Sequence, residues 1–276
     1  MKNVLITGCS TGIGYAAATT LHQKGYRVLA TVRQPDDAQP LTEQGIPYLL
    51  LDLANSESVL DAFHQACQYF NDQIDVLFNN AAYGQPGAVE DLSREVLRQQ
   101  FETNVFGTQQ LTNLMIAHMR QHQKPGLIAY NSSVLGFVSM AYRGAYNASK
   151  YAIEGLADTL RLELRNSNIH ITLIEPGPIT SAFRRNAFAK YQQNIDKSVS
   201  AHRDTYLAME ARLTKPGPAV PFTLPAEAVV DKLLLAMTHA RPKPRYYVTF
   251  PTYLFAVLKR IFPTRWLDAI LYKASD

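Results

Sequence analysis

The chain is poor in cysteine and in long apolar runs. Cys9 and Cys67 are the only cysteines among 276 residues, too few for a disulfide framework, and neither has a metal-ligand spacing. We therefore predict no metal centre and a reducing, cytoplasmic setting. No apolar run reaches the ~20 residues of a membrane-spanning helix, and the N-terminus has no signal-peptide pattern.

Charge is also limited. Charged residues make up 18% of the chain, hydrophobic residues make up 47%, and the formal net charge is +4. This composition excludes a disordered chain, and the small net charge gives no reason to predict nucleic-acid binding. Glycine and proline are ordinary in number, and no internal repeat or low-complexity segment is present.

Short apolar runs alternate with longer segments of helical spacing. We predict strands at residues 4–7, 28–32, 48–51, 76–79, 126–131 and 169–175, and helices at residues 14–24, 56–70, 94–120, 146–166 and 225–240. Strands that are continuously apolar suit a parallel sheet covered on both faces. The alternation therefore predicts an α/β fold, a doubly wound parallel sheet with helices on both faces.

A glycine-rich segment, Thr7-Gly8-Cys9-Ser10-Thr11-Gly12-Ile13-Gly14, follows the first strand and opens the first helix. Glycines at such a turn let backbone amides approach a pyrophosphate at the helix N-terminus. A strand–helix turn without a ligand is the alternative.

Residues at the ends of the next two strands bear on cofactor choice. Arg33 ends the second strand where NAD-preferring proteins place an acid, so it favours the 2′-phosphate of NADP. Asp36 and Asp37 follow closely, and a solvated loop arginine stays open as the alternative. Asp52 ends the third strand, where it can contact adenine or cap a turn.

Tyr146 and Lys150 are four residues apart on a predicted helix, so both side chains lie on one face. An ammonium beside a phenol favours the phenolate and lowers the pKa of the tyrosine, which suits proton exchange with an alcohol or carbonyl oxygen. Ser133 ends a predicted strand at the edge where doubly wound folds bind ligands. Asn104 lies within a helical segment, either as a satisfied core amide or as a functional group.

Taken together, these motifs resemble the short-chain dehydrogenase/reductase family. The match covers residues 1–185 and consists of the glycine segment, Asn79-Asn80-Ala81, Asn104, Ser133, Tyr146-x-x-x-Lys150 and Pro176-Gly177. Within the family, the segments at residues 145–152 and 174–179 are similar to the branch of 17-beta-hydroxysteroid dehydrogenases, retinol dehydrogenases and bacterial NADP-dependent aldehyde reductases. The resemblance implies a Rossmann-like fold and catalysis by hydride transfer.

The resemblance also implies a role for each matched residue. Tyr146 would be the general acid/base, Lys150 would lower its pKa and bind the nicotinamide ribose, Ser133 would polarise the carbonyl, and Asn104 would hold a water. The implied cofactor contacts are Gly8, Ser10, Thr11, Gly12, Ile13, Gly14, Arg33, Asp52, Leu53, Asn79, Ala81, Tyr146, Lys150, Pro176, Gly177 and Ile179. NADP is the expected cofactor, and homodimers or homotetramers are usual in the family.

The C-terminal third does not continue the alternation of strands and helices. Residues 181–224 are polar and basic and contain tyrosines, which is typical of an irregular lid over a cleft. Their aromatic and apolar residues, Phe183, Phe188, Tyr191, Tyr206, Leu207 and Met209, suit an apolar ligand, or pack on the domain as a helical flap. We predict a catalytic domain at residues 1–240 that includes this lid.

The segment 241–276 is a basic, aromatic extension. It carries seven basic residues against two acidic ones, so the chain's positive excess lies there. Interleaved aromatic and basic residues suit packing on the domain, contact with the inner membrane face, or a subunit contact. These alternatives stay open.

We predict an NADP(H)-dependent oxidoreductase that interconverts an apolar aldehyde, ketone, steroid or retinoid-like carbonyl with its alcohol. Two alternatives from other classes remain. One is a nucleotide-binding sensor or scaffold without turnover, and the other is an epimerase or dehydratase on the same fold.

Overall fold

The computed structural model describes residues 2–218 and 220–275 of the chain. Seven parallel strands form one sheet in the order β3-β2-β1-β4-β5-β6-β7. The strands are β1 (Asn3–Ile6), β2 (Arg27–Val32), β3 (Tyr48–Leu50), β4 (Val76–Asn79), β5 (Gly126–Asn131), β6 (Ile169–Glu175) and β7 (Arg245–Tyr247). The order reverses between β1 and β4, and ligands bind at such a switch point in open α/β sheets.

Eleven helices connect or follow the described strands. They are α1 (Gly12–Gln23), α2 (Gln39–Thr42), α3 (Ser56–Phe70), α4 (Arg94–Phe101), α5 (Thr108–Gln121), α6 (Gly144–Glu163), α7 (Phe183–Asn194), α8 (Arg203–Thr214), α9 (Glu227–Thr238), α10 (Phe250–Ile261) and α11 (Thr264–Ser275). Together with the sheet they form the predicted doubly wound fold. Within the described ranges, no helix has both the length and the hydropathy to cross a bilayer.

The core has two layers, one on each face of the sheet, and the side chains of β1 alternate between them. Val4 and Ile6 lie in the cluster that contains α1 and α9, whereas Leu5 lies in the cluster of α3, α5 and α6. Because successive side chains of a strand point to opposite faces, a continuous apolar run such as residues 4–6 of β1 contributes to both layers. Helices therefore bury both faces of the sheet, and a ligand can reach the sheet only at the ends of its strands.

The six predicted strands are confirmed to within a residue at each end, and β7 was missed. β7 has only three residues and pairs with β6 through Ile174 and Tyr246. A run so short, placed among prolines and basic residues, has no strand periodicity to detect.

The predicted helix at residues 94–120 is interrupted. Glu102–Gly107 forms a π-helical segment between α4 and α5. Gly107 packs on the backbone of Leu53, where a Cβ would overlap the carbonyl oxygen. A wider helical turn of this kind often marks a functional site.

The prediction of an irregular segment at residues 181–224 was wrong for most of its length, because α7 and α8 occupy it. Three of their side chains, Tyr191, Tyr206 and Met209, are buried in a cluster with Leu92 and Val96 of the main domain. The polar and basic residues between them conceal the helical period in the sequence.

Candidate active site

The predicted site residues lie at one edge of the sheet. Each follows the carboxyl end of a strand or lies in the first turns of the helix above it: Gly8–Gly14 after β1, Arg33 after β2, Asp52 and Leu53 after β3, Asn79 and Ala81 at β4, Ser133 after β5, Tyr146 and Lys150 in α6, and Pro176–Ile179 after β6. Since all strands are parallel, their carboxyl ends open into a single crevice.

The glycine loop makes a tight turn against the end of β4. Gly8 has φ +72° and Gly12 has φ +61°, conformations that favour glycine. A Cβ on Gly8 would lie 2.8 Å from Cα of Ala81, and one on Gly14 would overlap the carbonyl oxygen of Gly8. The loop therefore has no room for larger residues at these positions.

Three polar residues that were given no role from the sequence hold this loop. The Oγ1 of Thr7 accepts hydrogen bonds from the amides of Asn80 (2.9 Å) and Ala81 (3.0 Å). The Nδ2 of Asn80 donates to the carbonyl oxygens of Thr7 and Gly8 at 2.9 and 3.0 Å. Thr31 Oγ1 accepts from the Gly8 amide at 3.2 Å. Their positions beside glycines and at strand ends are the sequence feature that could have identified them.

The start of α1 fits an anionic dinucleotide. Thr11 is the N-cap residue but makes no side-chain capping bond, and the first turn holds no acid. The first amides of the helix are thus free of side-chain partners and carry the positive end of the dipole. Nearby, the buried Oδ1 atoms of Asn79 and Asn131 have no hydrogen-bond donor among the described residues. Phosphate oxygens can accept hydrogen bonds from the helix amides, and ribose hydroxyl groups can donate to the two Oδ1 atoms.

The residues after β2 and β3 differ in their surroundings. Arg33 is exposed and forms no hydrogen bond or ion pair with any described residue. Asp52 accepts a hydrogen bond from the Ala54 amide at 3.0 Å through one carboxylate oxygen, as the turn alternative expects. Leu53 is buried in the core, so only its backbone is placed to contact a ligand.

The segment after β6 closes the other side of the crevice. The carbonyl oxygen of Pro176 accepts a hydrogen bond from Val134 at 2.8 Å. Gly177 packs on the hydroxyl groups of Thr249 and Thr252, where a Cβ would not fit. Ile179 forms an isolated parallel bridge with Leu224. These contacts fix the segment relative to β5 and α10.

Ser133, Tyr146 and Lys150 converge beside this crevice. Ser133 follows β5 and its Oγ accepts a hydrogen bond from the Leu135 amide at 3.1 Å. The same hydroxyl lies near the Tyr146 phenol and lowers the pKa of that phenol. The ammonium of Lys150 lies 5.6 Å from the centroid of the Tyr146 ring and donates to the Asn131 carbonyl oxygen at 2.6 Å.

The pKa values of this pair are set mainly by burial. Burial raises the pKa of Tyr146 above its ordinary value, and the Ser133 hydroxyl opposes this shift. The sequence-based expectation of a lowered tyrosine pKa therefore does not describe this structure. Burial lowers the pKa of Lys150 to about 8, and the Glu154 carboxylate opposes that shift. A protonated phenol beside a lysine that titrates near neutral pH can deliver a proton to a substrate oxygen.

Asn104 lies in the π-helical segment and is fully bonded. Its Oδ1 accepts from the Tyr83 amide at 3.1 Å, and its Nδ2 donates to the Tyr83 carbonyl oxygen and to Ser149 Oγ at 2.9 and 3.0 Å. The side chain thus ties the wall of the cleft to α6. The role of water holder stays a prediction.

A buried acidic pair lies one helical turn beyond Lys150. Glu154 accepts hydrogen bonds from Ser132 and from Arg245, the latter at 3.0 Å. Arg245 Nε lies 2.9 Å from Glu175, yet neither carboxyl oxygen of Glu175 has a well-oriented hydrogen bond among the described residues. Burial, with the Glu154 charge adding to it, raises the pKa of Glu175 to about 9, against the effect of Arg245. Sequence reasoning missed this pair, because its members meet only in the tertiary fold.

The first residue of α7 covers the phenol. Phe183 packs edge-on against Tyr146 with ring centroids 5.2 Å apart, and its ring also closes on Gly84. Phe183 keeps 37% of its surface exposed, so it lines the cleft instead of the core. By contrast, Tyr191, Tyr206 and Met209 are buried against the domain, and Leu207 faces away from it.

A second cluster lies at the opposite edge of the sheet, where α3 ends. Donor atoms of Cys67, Asp72 and His118 lie within 4.8 Å of one another. Burial, together with the Asp72 charge, raises the pKa of the Cys67 thiol to about 11, and its sulfur lies 3.7 Å from His118 Nδ1. Sequence spacing alone did not reveal this cluster.

Proteins with this strand order and a glycine turn at the first strand–helix junction form the dinucleotide-binding class of α/β folds. A family model described as short chain dehydrogenase matches residues 2–192. The chain belongs to the short-chain dehydrogenase family, and it is an oxidoreductase of that family.

Related proteins are similar in sequence over nearly the whole chain. An uncharacterized oxidoreductase, YbbO of Escherichia coli K12, is 43% identical over 270 residues, covering 98% of this chain and 94% of that protein. An NADPH-dependent 3-dehydrocapnine reductase of Ornithobacterium rhinotracheale is 30% identical, with 99% and 97% of the two chains covered. A short-chain dehydrogenase/reductase from Burkholderia phymatum, solved in complex with NAD, superposes with a TM-score of 0.77 at 23% identity, covering 93% and 91%. That structural likeness supports the fold.

Proposed function

We propose that this protein is an NADP(H)-dependent carbonyl reductase, or alcohol dehydrogenase in the reverse direction. The convergence of Ser133, Tyr146 and Lys150 beside the glycine-lined crevice carries the proposal. When bound, the reduced nicotinamide supplies the hydride, which forms a new C–H bond at the carbonyl carbon.

The chain's own groups complete the reaction. Ser133 donates a hydrogen bond to the carbonyl oxygen and polarises it. Tyr146, whose raised pKa keeps the phenol protonated at neutral pH, delivers the proton to that oxygen as negative charge develops there. Lys150 lies on the same helical face and stabilises the phenolate that remains.

The cofactor preference rests on Arg33. Its guanidinium is exposed and unpaired among the described residues at the end of β2, where a 2′-phosphate would lie. Arginine binds phosphate through two parallel hydrogen bonds, whereas NAD offers only hydroxyl groups. The NADPH dependence of the Ornithobacterium relative supports the same choice.

The substrate class rests on the walls of the cleft. Phe183 and Gly84 lie against the ring of Tyr146, and Val134 and Leu135 belong to the apolar cluster on which that ring packs. A wall of aromatic and aliphatic groups with one polar constellation suits an apolar aldehyde or ketone, including steroid- or retinoid-like carbonyls.

A screen of aldehydes, ketones and the matching alcohols with both cofactors tests this proposal. We expect loss of NADPH absorbance with apolar carbonyls, one equivalent for each alcohol formed, and slower loss of NADH. An epimerase or dehydratase would convert substrate without net loss of NADPH, and a sensor would bind the cofactor without turnover.

Two finer expectations complete the proposal. Both cysteines are free, which suits a reducing cytoplasmic setting.

Exposed apolar side chains lie on or next to the long helices α5 and α6: Phe106, Tyr151 and Leu162. Such side chains suit self-association into dimers or tetramers. Light scattering on the purified protein measures the oligomeric state directly.

A further inference from the structure

The helix α10 has two apolar faces, and only one of them is buried. Thr252, Phe255 and Ala256 lie buried on the inner face. The outer face carries Phe250, Tyr253, Leu254, Val257 and Ile261, which recur at three- and four-residue steps and form one stripe. Each of these five side chains is between 39% and 67% exposed. The packing of the tail on the domain, predicted as one alternative, therefore accounts for only one face.

The stripe continues onto neighbouring segments. The Phe222 ring lies 4.9 Å from that of Phe250 and is 59% exposed, with φ +60°, which is unusual for a bulky residue. The next helix, α11, also exposes Trp266 (66%) and Tyr272 (72%). We call the α10 stripe and Phe222 the apolar patch. Tryptophan and tyrosine of this kind are enriched at membrane–water interfaces.

Exposed basic residues occur on the same two C-terminal helices, α10 and α11. Arg260, Arg265 and Lys273 are exposed and have no ion-pair partner in the parts of the chain that the structure describes. Arg260 also lines a cleft of about 300 Å³ together with Arg245 and Lys259. Across α10 and α11 the only described acid is Asp268. An anionic surface complements this arrangement.

We propose that the apolar patch docks onto an anionic lipid bilayer, with α10 lying in the headgroup plane. The apolar stripe would enter the boundary between headgroups and acyl chains, and the arginines would reach the lipid phosphates. The proposal rests on exposure and charge alone and does not depend on the proposed reaction.

A second copy of the chain fits the patch less well. A two-fold contact sets the same surface against itself. That contact would bring Arg260, Arg265 and Lys273 of both copies together with few acids to compensate. A lipid surface supplies the missing negative charge.

The geometry also relates the patch to the cleft. Phe222 lies two residues before Leu224, whose carbonyl oxygen accepts a hydrogen bond from Thr180 at 2.9 Å. The patch thus adjoins the loop after β6 that borders the crevice. Docking would hold the rim of the cleft near the bilayer.

Flotation with phosphatidylcholine vesicles, with and without phosphatidylglycerol, tests the proposal on the full chain. We expect the wild type to float with the anionic vesicles, less with the neutral ones, and less at high salt. The double variant Val257→Glu/Ile261→Glu should bind at least about tenfold more weakly, because it places two charges in the apolar stripe. Arg260→Gln/Arg265→Gln should reduce binding to anionic vesicles only.

The matched control is Val199→Glu, which makes the same change at a side chain that is 83% exposed between α7 and α8. It should float like the wild type. A wild type that stays unbound with anionic vesicles overturns the proposal, as does equal binding by the stripe variant. A wild-type oligomer that the stripe variant dissociates, without vesicle binding by either, assigns the patch to a contact between copies. If the stripe variant does not fold, the arginine variant decides.

Discussion

Tyr146 lies in the first turn of α6 with Lys150 one turn further along the same face. Both groups are buried, and burial shifts both pKa values toward the neutral forms, upward for the phenol and downward for the ammonium. Proton delivery in the direction of reduction therefore starts from the stable protonation state of Tyr146.

Replacing Tyr146 by Phe removes the proton donor and keeps the ring that packs on Phe183. We expect kcat for carbonyl reduction to fall by about 10²–10⁴-fold, with NADPH affinity changed by less than about twofold. Steady-state kinetics and fluorescence titration measure the two effects. Tyr151→Phe, an exposed tyrosine on the same helix, is the control and should behave as the wild type. Full activity in Tyr146→Phe contradicts the assignment.

Arg33 provides a separate test at the scale of one residue. Arg33→Asp should lower the preference for NADPH over NADH by at least about tenfold, because it loses a charge-assisted contact and adds repulsion to the 2′-phosphate. The ratio of kcat/KM for the two cofactors measures it. Arg165→Asp makes the same change at an exposed turn position and should leave the ratio unchanged. An unaltered ratio in Arg33→Asp shows that another group binds the phosphate.

Glu175 gives a prediction about pH. Its pKa is raised from 4.5 to about 9, so the folded chain keeps a proton that the unfolded chain has released between those values. By linkage, this group's contribution to stability is complete below the unfolded pKa and is lost as pH rises toward the folded pKa.

Glu175→Gln keeps the neutral shape and removes this loss. Relative to the wild type, the variant should gain stability on going from about pH 5 to about pH 8.5. Urea unfolding at both pH values measures the difference. Glu163→Gln, at an exposed position on α6, should show no such gain. A constant difference across this range means that Glu175 is ionised in the folded protein.

Much of the residue-scale account follows from the sequence. The spacing of Tyr146 and Lys150 on a helix, and the placement of Ser133 after a strand, could be derived before any coordinates. The Glu154–Glu175 pair could not, because α6 and β6 bring together residues that are far apart in the chain. The direction of the Tyr146 pKa shift also depends on burial, which the sequence does not quantify.

At the scale of elements, the π-helical segment between α4 and α5 ends at Gly107, which packs tightly on the backbone of Leu53. Gly107→Ala should destabilise the protein by about 3 kcal/mol or more, because its Cβ would overlap backbone that cannot move freely. Gly155→Ala is the matched control, since a Cβ there meets nothing within 4 Å and alanine favours a helix by about 1 kcal/mol. Thermal unfolding compares the two. Equal stability of the two variants means that the π-helical segment can relax.

The helix α7 sets the upper wall of the cleft through Phe183. Phe183→Ala should raise KM for bulky apolar carbonyls by about tenfold and change KM for the smallest substrates much less, because it removes apolar contact surface. Leu207→Ala, at an exposed residue of α8, should change neither. Equal effects on large and small substrates would indicate that Phe183 acts by supporting Tyr146.

Elements were predictable where their period was strong. The strands that line the crevice are mainly apolar, and the candidate site residues follow their ends, so the same sequence pattern predicts both the fold and the position of the site. The strand β7 was missed, and α7 and α8 were predicted only as the alternative of a helical flap, because their sequence signals are short or mixed with charge. Their formation depends on burial against the rest of the domain.

At the scale of the whole molecule, seven parallel strands bring the glycine loop of β1 and the hydroxyl groups of β5 and α6 to one edge. The C-terminal helices extend from the same edge through Gly177 and Thr249, and their outer face is apolar and basic. One arrangement thus joins the proposed cofactor site, the proposed proton donor and the proposed lipid contact.

Transfer of deuterium from NADPH that carries deuterium at both hydrogen positions of nicotinamide C4 tests the central claim most directly. With an apolar aldehyde or ketone, we predict one deuterium on the carbinol carbon for each NADPH consumed, and a proportionate loss of transfer in Tyr146→Phe. Product without deuterium on that carbon, or substrate conversion without NADPH consumption, would contradict the account.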